Sequence, residues 1–134
     1  MNTTGSGFGF DKSQRLLTPA DYKQVFDQSS IKVSTAEILI LARPNNLGKP
    51  RLGLVIAKKH AKRAVTRNRI KRQARESFRL LHASLGDIDI VLLGRKGIGS
   101  LDQSALRQAL DHLWDQLGRK ARRKIPAPDT PHES

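Results

Sequence analysis

The densest set of functional side chains lies in the stretch VTRNRIKRQARESFR, Val65–Arg79, which holds six Lys or Arg and one carboxylate, Glu76. Guanidinium and ammonium groups that stay charged at neutral pH bind phosphate rather than shuttle protons. From Lys58 to Arg79 there are ten Lys or Arg against that one Glu, and Arg119–Lys124 adds five more with no acid. These two segments account for the whole formal net charge of +13. Charge gathered into patches attracts polyanions over long range, so nucleic acid is the leading partner. An anionic membrane surface is the alternative, weakened because no terminal amphipathic helix with exposed bulky apolar residues is evident.

Groups suited to breaking bonds are few. His60, His82, His112 and His132 have no metal-ligand spacing, and the chain has no Cys to complete such a set. Asp87 and Asp89 stand at i, i+2, which places both on one face of a strand, where they could hold a hard cation. A strand-edge pair without a site is the commoner meaning of that spacing. Gly94-Arg95-Lys96-Gly97 matches the GXXG loop that clamps nucleic-acid backbone in KH domains, but that loop joins two helices and here a strand precedes it. No Walker-type loop and no acid/base pair arranged to cleave RNA is found, and no metal site is expected on the protein. Tyr22 and Phe26, four residues apart, are either core residues or a platform on which unpaired bases stack; the sequence leaves both open.

The elements that must position these groups follow from pattern. A length of 134 residues suits one domain, and 4% aromatics within 37% hydrophobic residues calls for an aliphatic core. No apolar run reaches the length of a membrane span, and the start MNTTGSGFGF lacks the basic and apolar regions of a secretory signal; a cytoplasmic protein is expected. Residues 1–14 read as a flexible lead-in. Thr18, Pro19 and Asp21 form a helix start, and Tyr22, Val25 and Phe26 an apolar face, predicting a helix over about 19–28. AEILILAR (36–43) and RLGLVIAKK (51–59) predict strands paired antiparallel across the turn-rich 44–50 segment, with Gly53 marking a close approach and a further short strand near 30–33. A helix over about 66–82 gathers Ile70, Ala74, Ser77, Phe78 and Leu81 on one face and Asn68, Lys71, Arg72, Arg75, Arg79 and His82 on its neighbour. DIDIVLLGRK (87–96) predicts a strand buried on both faces. Ser100 and Gln103 predict a capping box for a last helix over about 101–123. IPAPDTPHES is a polar, Pro-rich tail, expected to be disordered from residue 123 onward.

A solvated face is the ordinary meaning of a charged helix, and here it is strained. Lys71–Arg75, Arg72–Arg75 and Arg75–Arg79 are repulsive neighbours, with Arg72–Glu76 the one attractive pair. Arg67, Arg69 and Lys71 crowd the helix start, where the macrodipole favours anions. A bound phosphate backbone would resolve both conflicts. For RKARRK at the chain's end, the dipole itself accounts for cations as well as a ligand would.

AKKHAKRAVTRNRIKRQARESFR (57–79) resembles the signature of the bacterial ribonuclease P protein component: Arg67-Asn68-Arg69, then Lys71-Arg72, then Arg75-Glu76, in that family's order. RLLTPADYKQVF, RLGLVIAKK and LDHLW also look like this family, so that the resemblance covers about residues 8–121. It implies an α+β fold, a single-domain α-β-β-β-α-β-α sandwich over 15–122 with a four-stranded sheet and a left-handed β-α-β crossover, against the usual right-handed rule. It implies an accessory subunit of an endoribonuclease, in which a large RNA subunit with bound Mg²⁺ removes the 5′ leader of precursor tRNA; the protein alone binds no cofactor or small-molecule substrate. Arg67, Asn68, Arg69, Lys71, Arg72, Arg75 and Arg79 would contact the catalytic RNA. Arg15, Tyr22 and Phe26, with Lys58 and Lys59 beside them, match the family's cleft for the single-stranded leader. Two departures stand out: Tyr22 where Phe is common, and Gln73 where an aliphatic residue is common.

Overall fold

The computed structural model describes residues 18–45, 49–81 and 85–124. The chain runs α1 (Pro19–Gln28), β1 (Ile31–Ser34), β2 (Ile38–Pro44), β3 (Arg51–Val55), α2 (Ala64–Leu81), β4 (Ile88–Gly94), a 3-10 turn (Ile98–Ser100) and α3 (Gln103–Lys124). This is the expected α-β-β-β-α-β-α order. Arg15, His82 and the two terminal segments apart from Arg123 and Lys124, which close α3, lie outside the described residues.

One expected pairing is overturned. β2 and β3 are not neighbours, because the sheet order is β1-β2-β4-β3, with β4 antiparallel to β2 and parallel to β3. The composition of the strands explains it. The β4 run IDIVLL can be buried on both faces, and its first five residues are buried without interruption. Such a strand gains most at the centre of the sheet. The five-residue β3, with Gly53 in its middle, takes the edge.

The register also sets the hand of the crossover. Arg95 N–H donates to Glu37 O and Asn45 N–H to Asp87 O, so odd-numbered residues of β4 turn their backbone groups toward β2 and even-numbered ones toward β3. The even-numbered Ile88, Ile90 and Leu92 send their side chains into the core shared with Ile70, Ala74 and Phe78 of α2. Seen from α2 with β4 rising, an L-residue pointing at the viewer turns its N–H and C=O to the right. β3 therefore lies right of β4, and a chain that leaves β3 in front of the sheet enters β4 on the left. The β3-α2-β4 crossover is left-handed, as the resemblance implied.

α2 and α3 cover one face, where Ile38, Ile40, Ile90, Leu92, Leu106, Leu110 and Leu113 pack, and Phe78 meets Trp114 edge-on at 5.8 Å between ring centres. Trp114 Nε1 donates to Ser77 Oγ at 2.7 Å, and Ser77 in turn donates to Ala74 O, so the buried indole N–H is satisfied. α3 starts later than expected. Asp102, not Ser100, caps it, its carboxylate accepting from Ala105 N–H at 2.8 Å, because Ser100 is used in the 3-10 turn. α1 covers the other face with a smaller cluster of Val25, Val91, Tyr22, Leu41, Val55 and Leu93. Its start follows the sequence reading: Thr18 Oγ1 accepts from Asp21 N–H and the Asp21 carboxylate accepts from Thr18 N–H.

Asp89 is fully buried on the α1 face. Arg51 binds it with two parallel hydrogen bonds of 2.8 Å, Asn45 Nδ2 donates at 2.8 Å, and the Arg43 guanidinium stands 3.8 Å away. The hydrogen bond to Asp89 raises the Arg51 pKa above its ordinary value. Removing Arg51 would strand a buried carboxylate, and a broken buried pair costs about 3 kcal/mol. Arg51→Ala should therefore lower the free energy of unfolding by about 3 kcal/mol in chemical denaturation, and adding Asp89→Ala should recover part of that loss.

Candidate nucleic-acid interface

α2 begins at Ala64, two residues before the predicted start, and no acidic residue stands in its first turn. The cations nearest its positive end are thus Lys62, Arg63 and Arg67; Arg69 and Lys71 lie further in. The preceding turn docks closely on the 3-10 turn, where a Cβ on Gly99 would come within 2.8 Å of His60 O and 3.3 Å of Ala61 Cα. Gly99 is thus what lets the start of α2 seat against the connection leading to α3.

The expected basic residues divide in their surroundings. Asn68 and Arg72 are exposed; Lys71, Arg75 and Arg79 are half-buried on the same flank. Arg67 and Arg69 stand apart from that strip, on opposite sides of it by the 100° step. Arg67 Nη1 donates to Ala61 O and Lys62 O, both at 2.9 Å, and holds the turn before the helix. Arg69 Nη2 reaches Leu101 O at 3.4 Å, and Gln73 Nε2 donates to Gln103 O at 2.8 Å, so both tie α2 to the start of α3. The unusual Gln73 thus has a partner that an aliphatic side chain could not satisfy. The attractive pair expected between Arg72 and Glu76 is instead Arg79–Glu76, one turn on. The Arg79 hydrogen bond lowers the Glu76 pKa. Arg72 is left facing solvent with no ion pair among the described residues. Lys58 and Lys59, predicted at a strand end, are exposed in the turn after β3, and Lys62 and Arg63 extend their charge to α2.

On the opposite face of the sheet, the aromatic pair separates. Val25 takes the buried position of the α1 face, while Phe26 is 45% exposed. Tyr22 is half-buried and lies over β3: a Cβ on Gly53 would meet its Cε2 and Cζ at 2.7 Å. The close approach marked by Gly53 is therefore that of the Tyr22 ring. Half-buried Val55, Leu41 and Leu93 pack with it against Val25 and Val91, giving an apolar floor beside α1 with the Lys58–Lys59 turn at the end of β3. Arg15, expected in the same cleft, lies outside the described residues.

The carboxylate pair weighed as a metal site does not form one. Asp87 is exposed before β4 begins, and Asp89 spends its oxygens on Arg51 and Asn45. Nor does the Gly94–Gly97 loop join two helices. Arg95 Nη1 donates to Thr35 O, Lys96 is exposed, and Gly97 adopts φ +95° to start the 3-10 turn. Sequence reasoning did not find Arg51, Arg43 and Asn45 as partners of Asp89, since they come from β2, β3 and the segment between them and nothing local signals the contact.

Sequence and fold are both similar to those of known proteins. The Ribonuclease P family profile matches residues 10–118. The chain is 58% identical over 106 residues to a ribonuclease P protein component of Histophilus somni, covering 79% of this chain and 88% of that one. It is 53% identical over 114 residues to that of Pasteurella multocida, covering 85% and 95%. Among solved structures, the RNase P protein of Thermotoga maritima superposes with a TM-score of 0.69 at 29% identity, covering 76% of this chain and 98% of that one. That of Staphylococcus aureus gives 0.72 at 24%, covering 78% and 95%, a likeness of fold. With most of its length inside the family profile and relatives at this identity, the chain belongs to the ribonuclease P protein family.

Proposed function

We propose that this chain is the RNA-binding subunit of a ribonuclease P that binds a catalytic RNA through α2 and the 5′ leader of precursor tRNA through the α1 face. The observation that carries the reading is the separation of two surfaces by the sheet: a flank of α2 rich in cations, with Glu76 as the helix's one carboxylate, and an apolar floor with an exposed aromatic ring on the other side. Family membership supplies ribonuclease P, tRNA processing and RNA binding as the setting.

On the first surface, Asn68, Lys71, Arg72, Arg75 and Arg79 meet phosphates, with Lys62 and Arg63 at the helix end that favours anions. Arg67 and Arg69 fasten the same helix while adding to its charge. On the second, bases of a single-stranded leader stack on Phe26 and Tyr22, with Lys58 and Lys59, and Arg15 from the segment before α1, on the backbone. Stacking makes little demand on sequence, which suits a leader that varies between precursors. The hydrolysis belongs to the RNA subunit and the Mg²⁺ it binds; the residues described on this chain offer binding and charge neutralisation. A self-sufficient nuclease built on Asp87 and Asp89 has no support, since Asp89 is enclosed by its own ion pair. The site of action proposed is the cytoplasm; among the described residues no helix is long and apolar enough to cross a membrane.

The purified chain should be inactive alone and should raise cleavage of precursor tRNA by its RNA partner at low Mg²⁺, an effect that fades steeply with added salt. Metal-dependent cleavage by the protein without RNA would sink the reading. Arg72→Ala should weaken binding of the RNA subunit by roughly 1–3 kcal/mol with little change in melting temperature. Phe26→Ala should spare that affinity and reduce the preference for precursor over mature tRNA. Gly53→Ala, which adds a methyl where the Tyr22 ring lies, should reduce the same preference without removing an aromatic.

A further inference from the structure

Three elements meet beneath the N-terminal turn of α1. Arg51 of β3 is bound to the buried Asp89 of β4 and also stands 3.8 Å from the Asp21 carboxylate of α1. The Arg51 and Asp21 side chains are 19% and 23% exposed, so their attraction is only partly screened by water. Asn45 adds a further tie, donating from one amide to Asp89 at 2.8 Å and to Lys49 O at 3.1 Å, which fixes the chain entering β3. Arg43 brings a second cation to Asp89 at 3.8 Å, so that two carboxylates and two guanidiniums balance in charge.

The place of Asp21 gives this cluster its reach. Asp21 precedes Tyr22, whose ring lies on Gly53, two residues beyond Arg51 on the same face of β3. Four residues beyond Tyr22 is Phe26. From the charged cluster we infer that Asp21 and Arg51 are positioning residues: they seat the start of α1 on β3 and β4 and so set where Tyr22 and Phe26 stand over the sheet. Neither is assigned contact with RNA. The inference rests on the α1 face being the leader-binding surface, and it adds that the width of that surface is set by an ion-pair chain beneath the helix. The rest of α1 is held by Val25 alone among its fully buried residues, so the charged seat carries a large share of the helix's placement.

Asp21→Asn tests this with little risk to the fold, because an amide oxygen can still accept from Thr18 N–H while the charge facing Arg51 is lost. In the assembled ribonucleoprotein, the preference for precursor over mature tRNA should fall about two- to fivefold, the scale of one partly screened ion pair. Affinity for the RNA subunit should not change. A second measurement reads the free protein: Tyr22 is the one tyrosine of the chain, so a fluorotyrosine label gives a single ¹⁹F resonance, which should move toward its unfolded-state shift in Asp21→Asn. An unmoved resonance with an unchanged preference overturns the positioning role. Phe26→Ala run alongside separates the two readings. If it lowers the preference and Asp21→Asn does not, the seat fails and the leader surface stands; if neither lowers it, both fail.

Discussion

The structure is organised by a strand that has no wet side. β4 is buried from Ile88 to Leu92, and this requires a layer of side chains on each face of the sheet. One layer is large, built by α2 and α3 over the even-numbered residues; the other is small, a single short helix over Val91 and its neighbours. That inequality explains why the molecule has two different surfaces. The large layer presents the outer flank of a long helix. The small layer leaves part of the sheet uncovered beside α1, so apolar side chains such as Val55 and Leu93 stay half in water. Apolar surface left beside an exposed aromatic ring is where a flat, weakly hydrated ligand gains most.

Much of this was legible in the sequence. The capping box at Thr18, the apolar seam of α2 and the double-sided burial of β4 are local patterns, and the structure follows them. The separation of β2 from β3 was not legible, because two strands joined by a short turn-rich segment normally pair and nothing local announces that a third strand enters between them. The partners of Asp89 were hidden for the same reason: a carboxylate at i, i+2 looks alike whether it faces a cation from solvent or an arginine from another strand. In the basic helix, the 100° step placed Asn68, Lys71, Arg72, Arg75 and Arg79 on one flank, but it could not foresee that Arg67 and Arg69 also donate to the protein's own carbonyls.

That last distinction bears on how a domain this basic folds at all. Some of its cations have work inside the fold. Arg51 and Arg43 serve the buried carboxylate, Arg67 closes the turn before α2, and Lys120 donates to Lys32 O at 2.9 Å, covering the outer edge of β1. Arg119–Asp115 and Arg107–Asp111 pair along α3. Lys58, Lys59, Lys62, Arg63 and Arg72 are exposed, and none has an ion pair among the described residues.

Those five stand at the start of α2, on its outer flank and in the turn after β3. Repulsion between neighbours on a helix is small for each pair, a few tenths of a kcal/mol, so an apolar seam anchored by Ile70, Ala74 and Phe78 outweighs it. The repulsion is then kept in the folded state and relieved only when a polyanion arrives, which adds to the attraction such a partner feels. Had the same cations been matched by acids, as Arg107 and Arg119 are on α3, the helix would be steadier and its pull on phosphate weaker. The two helices carry the same number of cations, but two of those on α3 are matched at i, i+4 by Asp111 and Asp115, whereas α2, held by Arg69 and Gln73 against the start of its neighbour, has Glu76 as its one acid and keeps more of its charge.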